Sequence, residues 1–195
     1  MTILHGRLED VIDSSIKNGE HLAVVLIDMQ ETPFGRRLQK GCYPVLNQKI
    51  RRQTEVLGFA VIKQIPIYLI EFPRKTEGPT LFCLRHVAKG AEEADYTITK
   101  KYCSAFEDTA LERRLDEQNI SSLLLMGWHT DVCVLSTARD AYPKYHILTS
   151  PSVLLGNVWN QGNAADPTEL NDFYYEKCRV YDDKELEKKL LVEKP

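Results

Sequence analysis

Short apolar runs alternate with longer amphipathic stretches along most of the chain. Residues 21–28 (HLAVVLID) are apolar at almost every position, as a strand buried on both faces requires. Similar runs recur at 66–71 (PIYLIE), 95–99 (DYTIT), 121–127 (SSLLLMG) and 145–149 (YHILT), with a weaker one at 177–181 (KCRVY). Between them, apolar positions fall at helical spacing. Leu46, Ile50, Leu57 and Val61 share one face of a helix over roughly 45–64. Leu8, Val11, Ile12 and Ile16 do the same for an N-terminal helix over about 5–18, with Gly19 as its stop signal. Thr109 and Glu112 have capping-box spacing, in which hydroxyl and carboxylate satisfy each other's free backbone N–H groups. They open a predicted helix that carries Leu111 and Leu115 and ends near Asn119. Two further helices are predicted over 131–142 and 184–191.

Buried strands alternating with helices predict an α/β fold. Its sheet is mainly parallel, because parallel neighbours need a crossover and the crossover helices cover both faces, giving three α-β-α layers. The 195 residues suit a single domain over 1–195, with the N-terminal helix appended. Apolar residues make up 43% and charged residues 27%, which excludes a disordered or fibrous chain. Twenty-five basic against 28 acidic residues leave a formal charge of −3, which offers nucleic acid no basic face. The apolar runs fall far short of the ~20 residues that span a bilayer, so no membrane partner is expected. No basic-then-apolar leader opens the sequence, so a cytoplasmic protein is expected. Five cysteines, at 42, 83, 103, 133 and 178, include no C-x-x-C pair and read as reduced thiols rather than a disulfide framework or a zinc site.

In parallel sheets, sites lie beyond the carboxyl ends of the strands, preferably where the strand order reverses. Those positions hold Asp28, Glu71, Lys100 and the segment from Gly127 to Cys133. With Thr130 or Asp131 as cap, Cys133 would fall in the first turn of a helix. There, free N–H groups and the positive end of the helix dipole lower a thiol pKa and can hold an oxyanion. A cysteine here can also pack simply as a small hydrophobe. Asp28 can serve as a general base or as a cofactor or metal ligand, but an aspartate at a strand end caps a turn more often than it catalyses, and Lys100 and Lys101, each taken singly, read first as solvated residues. Glu71 and the charged loop after it line a pocket mouth or, for the most part, a solvated surface. The five histidines show no metal-ligand spacing. His129 shares a short turn with Cys133, where it lines the site or acts as base.

Taken together, residues 22–30 (LAVVLIDMQ), 98–106 (ITKKYCSAF) and 124–134 (LLMGWHTDVCV), followed by 137–141 (TARDA), resemble the isochorismatase-like cysteine hydrolases. That family includes nicotinamidases, N-carbamoylsarcosine amidohydrolases and ureidoacrylate amidohydrolases. The resemblance runs over about residues 20–190 in consistent order. It implies a six-stranded parallel sheet in Rossmann-like order and a catalytic triad of Asp28, Lys100 and Cys133. The family's spacing ahead of Ser104 selects Lys100 over Lys101. It also implies a cis peptide between Trp128 and His129 that aims the N–H of His129, with that of Cys133, at the oxyanion. Phe34, Glu71, Phe106 and His129 are then expected to contact substrate.

The implied reaction is hydrolysis of a C–N bond in a small amide or carbamoyl compound through a Cys133 thioester. No cofactor and no metal are expected, because the segment after the second strand (IEFPRKT, 70–76) lacks the histidines with which nicotinamidases hold a divalent ion. The partners implied are a small-molecule substrate and further copies of the chain, as a dimer or larger homo-oligomer. Two rival readings are ether hydrolysis of the isochorismatase type, which does not need the cysteine, and a catalytically silent interaction protein on the same fold.

Overall fold

The computed structural model describes residues 4–32, 44–88, 97–156 and 170–182. The predicted helix at 184–191, the start of the run at 95–99 and Phe34 lie outside them. In chain order the elements are β1 (Leu4–His5), α1 (Leu8–Lys17), β2 (Leu22–Ile27), α2 (Pro44–Ile62), β3 (Ile67–Glu71), α3 (Arg74–Glu77), α4 (Phe82–Ala88) and β4 (Thr97–Thr99). They continue with α5 (Leu111–Glu117), β5 (Ser122–Trp128), a π turn (Thr130–Val134) leading into α6 (Leu135–Ala141), and β6 (His146–Thr149). A 3₁₀ turn (Pro151–Val153), β7 (Leu154–Leu155), α7 (Asp172–Lys177) and β8 (Arg179–Asp182) complete the order.

The strands lie in the order β1-β8-β6-β5-β2-β3-β4, with β7 also paired to β5. Every paired neighbour is parallel. The six strands foreseen form the Rossmann-like body β4-β3-β2-β5-β6-β8. The two-residue strands β1 and β7 are additional, and too short to leave a hydrophobic run in the sequence. In β2 all six residues are buried, and they alternate between two cores. Leu22, Val24 and Leu26 face the cluster beneath α1, α2 and α4, with Leu8, Ile12, Leu57 and Leu84. Ala23, Val25 and Ile27 face the cluster beneath α5, α6 and α7, with Leu111, Leu115, Ala138 and Tyr174. This two-residue period explains why both faces of the strand had to be apolar.

Two local expectations give way to packing. Ile16 is 40% exposed while Ser15 is buried, so the inward face of α1 is Leu8, Ile12 and Ser15. The Thr109 hydroxyl accepts from Leu111 N–H at 3.2 Å, but Glu112 pairs with Lys144 at 3.0 Å instead of closing a capping box. Across the first layer, Arg52 of α2 forms a two-pronged ion pair with Glu9 of α1. Among the described residues, no helix is long and apolar enough to cross a membrane.

Candidate active site

Strands β2 and β5 are the central neighbours at which the order reverses, so the chains leaving them diverge to opposite faces of the sheet, the arrangement beside which sites of such sheets lie. Asp28 stands at the end of β2 with φ +53°, a left-handed conformation that aspartate tolerates better than most residues. Its N–H donates to Ile70 O at 2.9 Å. Lys100 follows β4, its N–H donating to Glu71 O at 2.9 Å. On β5, Gly127 pairs with Ile27 at φ +127°, and a Cβ there would lie 2.1 Å from Ile27 O. Only glycine lets β5 pass this close to the strand that ends in Asp28.

The Trp128–His129 peptide is cis. His129, not Thr130 or Asp131, takes the cap position of the following helix, and no side chain caps it. Its carbonyl accepts instead from Val132 and Val134 N–H, at 3.0 and 3.2 Å, and the second of these bonds widens the first turn into a π turn. Cys133 sits inside that turn. Tyr174 of α7, fully buried, donates its hydroxyl to Thr130 O at 2.7 Å and fixes the turn from the far side. Thr137, one turn on, accepts from Ala105 N–H and donates to Cys133 O, which joins the segment after Lys100 to the cysteine helix.

These elements bring Asp28, Lys100 and Cys133 together. Lys100 Nζ lies 2.8 Å from Asp28 Oδ2, and both side chains are almost wholly buried. The contact is a buried, charge-assisted one, and the Cys133 thiol also bonds to the carboxylate. Lys100 also donates to Cys103 O at 2.9 Å. The thiol interacts with both the carboxylate and the ammonium. Burial raises the Asp28 carboxyl above its ordinary value, with Lys100 and the Cys133 thiol pulling the other way. The thiol itself is pushed up to about 12, first by burial and then by the charge of Asp28, against the opposing charge of Lys100. This corrects the expectation of a thiol lowered by its helix terminus, because the desolvated site holds a carboxylate beside the sulfur.

The other candidates are distributed unevenly. Glu71 is fully buried and committed: Oε1 accepts from Thr80 N–H and hydroxyl, both at 2.7 Å, and Oε2 from Arg74 Nε at 2.8 Å. It anchors the loop rather than opening to a ligand or to bulk solvent. Phe106 is half-buried against the core cluster that includes Cys133, and it stacks on Tyr145 with ring centroids 5.9 Å apart. His129 is half-buried, its Nδ1 has no partner, and burial holds its pKa below the usual histidine value despite nearby Asp131. Lys101 is exposed and pairs at the surface with Asp108. Cys83, Cys103, Cys133 and Cys178 are all free thiols. Among the described residues, no three His, Cys, Asp or Glu side chains gather closely enough to hold a metal ion.

Sequence reasoning missed Gln30 and Phe72. Buried Gln30 accepts from Phe72 N–H at 2.8 Å and donates to Phe72 O at 3.0 Å, and the Phe72 ring lies 4.0 Å from Lys100 Nζ. A buried glutamine two residues after Asp28 was a signal within the apolar first block; the ring's position was not.

Fold and site define a Rossmann-like α/β protein with a buried carboxylate, ammonium and thiol at the switch point of its sheet. The isochorismatase domain model matches residues 22–144, and the chain belongs to the isochorismatase family. Among curated relatives in Bacillus subtilis, it is 34% identical over 71 residues to the uncharacterized isochorismatase family protein YaaI and 51% identical over 49 residues to that named PncA. These matches cover 36% and 25% of this chain and span only 39% and 27% of the relatives' own lengths. Similar solved structures include an isochorismatase from Pseudomonas putida (TM-score 0.66, 16% identity, 94% of this chain and 93% of that one). N-carbamoylsarcosine amidase from Thermoplasma acidophilum gives a TM-score of 0.63 at 20% identity over 83% and 94% of the two chains. The pyrazinamidase/nicotinamidase of Streptococcus mutans gives 0.64 at 21% identity over 82% and 99%. At these identities the structural likeness shows the fold.

Proposed function

We propose that the chain is a single-domain hydrolase that cleaves a C–N bond of a small amide or carbamoyl compound through a thioester on Cys133. The observation that carries this reading is the thiol in contact with a buried carboxylate that is itself paired to a buried ammonium. A thiol held near 12 is protonated at neutral pH, so attack requires a base at the sulfur. Asp28 is the base within reach, and its carboxyl, raised by burial, is a better proton acceptor than an exposed aspartate.

In the first half-reaction the Cys133 sulfur bonds to the carbonyl carbon as its proton passes to Asp28. The N–H groups of His129 and Cys133 hold the resulting oxyanion. Asp28 then returns the proton to the leaving nitrogen, the C–N bond breaks, and an amine or ammonia departs. In the second half, water attacks the thioester, giving one proton to Asp28. The C–S bond breaks, the acid leaves, and that proton returns to the sulfur. Lys100 holds Asp28 in place and stabilises its charged form throughout. Nicotinamidase and N-carbamoylsarcosine amidase among the structural neighbours are consistent with this substrate class.

The test is ammonia release from a panel of primary amides, ureas and carbamoyl amino acids, with the wild type and Cys133→Ala side by side. Turnover of at least one compound, abolished in the variant, is expected. Turnover that survives Cys133→Ala would overturn the thioester route.

A further inference from the structure

The ammonium of Lys100 has three N–H donors, and its surroundings account for all of them. Asp28 Oδ2 stands at 2.8 Å, Cys103 O accepts at 2.9 Å, and the Cys133 sulfur is its third polar partner. The remaining approach is closed by the face of Phe72, whose centroid is 4.0 Å from Nζ, and Lys100 is 0% exposed. An ammonium so enclosed has no donor left for a substrate oxygen or for water. The geometry points to Phe72 as a positioning residue: its ring seals Lys100 against the Asp28 carboxylate, so that the lysine acts on the reaction only through Asp28 and Cys133. This rests on the roles proposed above for those two residues.

The ring is held for that task. The Gln30 amide pairs with both the N–H and the C=O of Phe72 and also reaches Gly78 O. Glu31 N–H donates to Pro79 O, Leu81 N–H to Met29 O, and Glu71 grips Thr80. The segment after Asp28 and the segment after β3 are thus laced together, and the Phe72 backbone, from which the ring projects, cannot move away without breaking several of these bonds. An aromatic face attracts a cation within about 6 Å, and more strongly where water is excluded. An aliphatic side chain of similar bulk would keep the site dry but lose that attraction.

The groups facing the ammonium and its carboxylate are Asp28, Cys133 and, at longer range, Glu77, whose charge opposes ionisation of Asp28. Lys100 favours the charged forms of both Asp28 and Cys133. A loosened Lys100 therefore raises both groups further, moving the pH at which Cys133 becomes reactive upward.

The readout is the rate of Cys133 carbamidomethylation by iodoacetamide, followed by peptide mass spectrometry from pH 5 to 10, which needs no substrate. In Phe72→Leu the rate at neutral pH should fall roughly tenfold, the scale of a desolvated cation–π contact, and the profile should move to higher pH. Phe72→Tyr, which keeps the face, should return most of the rate, and Gln30→Ala should shift the profile in the same direction as Phe72→Leu. The positioning role is overturned if Phe72→Leu matches the wild type, if Tyr and Leu are equally impaired, or if Cys133 of the wild type does not react at any pH. Should the profiles behave as expected while no amide is hydrolysed, the hydrolase reading fails and the positioning role stands.

Discussion

Two buried cation–carboxylate pairs in this molecule have opposite consequences. Between α1 and α2, Arg52 grips Glu9 with both guanidinium prongs. Burial there works to raise the Glu9 carboxyl, but the bonds and charge of Arg52 outweigh it and hold the group below its ordinary 4.5. At the end of β2, Lys100 approaches Asp28 just as closely, yet burial wins and the Asp28 carboxyl rises above 3.8. The difference is depth and company. Glu9 receives two directed charge-assisted bonds and keeps some contact with solvent, whereas Asp28 is deeper and shares its cation with Cys103 O. One pair is arranged to stay ionised; the other leaves its carboxylate able to take a proton.

Disabling the second pair should have the largest effect. Asp28→Asn removes the proposed base while keeping the shape, and kcat/KM should fall by on the order of 10²–10⁴-fold. In the wild type the acidic limb of kcat/KM should lie above 3.8, because Asp28 must be ionised to accept the thiol proton and burial raises its pKa. Activity is then lost as pH falls through that raised value. A limb that stays in place in Asp28→Asn would separate Asp28 from the chemistry.

Gly127→Ala forces a methyl carbon to within 2.1 Å of Ile27 O, a contact that only a backbone shift relieves. A loss of about 3–5 kcal/mol in urea unfolding is expected, at the upper end of single-site effects. Near-wild-type stability would mean that β2 and β5 need not approach so closely beside Asp28.

The first pair gives a smaller effect of opposite character. Glu9→Gln should destabilise the fold at neutral pH by about 1–3 kcal/mol and leave the activity of the remaining folded protein unchanged. Because the folded Glu9 carboxyl lies below 4.5, its contribution is fully present above that pH and is lost as pH falls through the folded value. The gap between variant and wild type should therefore narrow in acid. A gap that widened in acid would contradict the assigned direction. Smallest of all, Tyr174→Phe deletes one hydroxyl bond to Thr130 O and should cost about 1 kcal/mol, with a few-fold loss of activity from a looser cysteine turn.

What the sequence revealed follows the range of the interactions involved. The apolar runs of β2 and β5 depend only on burial on both faces, and they located Asp28 and Cys133 beyond adjacent strand ends. The ends of the principal elements differ from the expected ones by a few residues. By contrast, the cap at Thr130 or Asp131 was displaced by the turn at His129, and Glu112 was drawn off its capping box by Lys144 from a later turn. Glu71 read as a pocket-mouth residue facing substrate because its partners Thr80 and Arg74 arrive only through the folding of a loop. The thiol shift changed sign for the same reason, since a helix terminus is local but the desolvation beside Asp28 is tertiary. Phe106 drew attention through the family resemblance and Phe72 did not, because only the path of the chain sends one ring to Tyr145 and the other over Lys100.

A thioester at Cys133 formed with Asp28 as base would be trapped by rapid quenching in acid during turnover of an amide. Peptide-level mass spectrometry of the quenched enzyme then reads any adduct. An acyl group on Cys133, matching the substrate less its amine, is expected to disappear as substrate is exhausted and to be absent in Asp28→Asn. Steady turnover with Cys133 unmodified at every quench time, in an enzyme whose acylated form survives the quench, would contradict it.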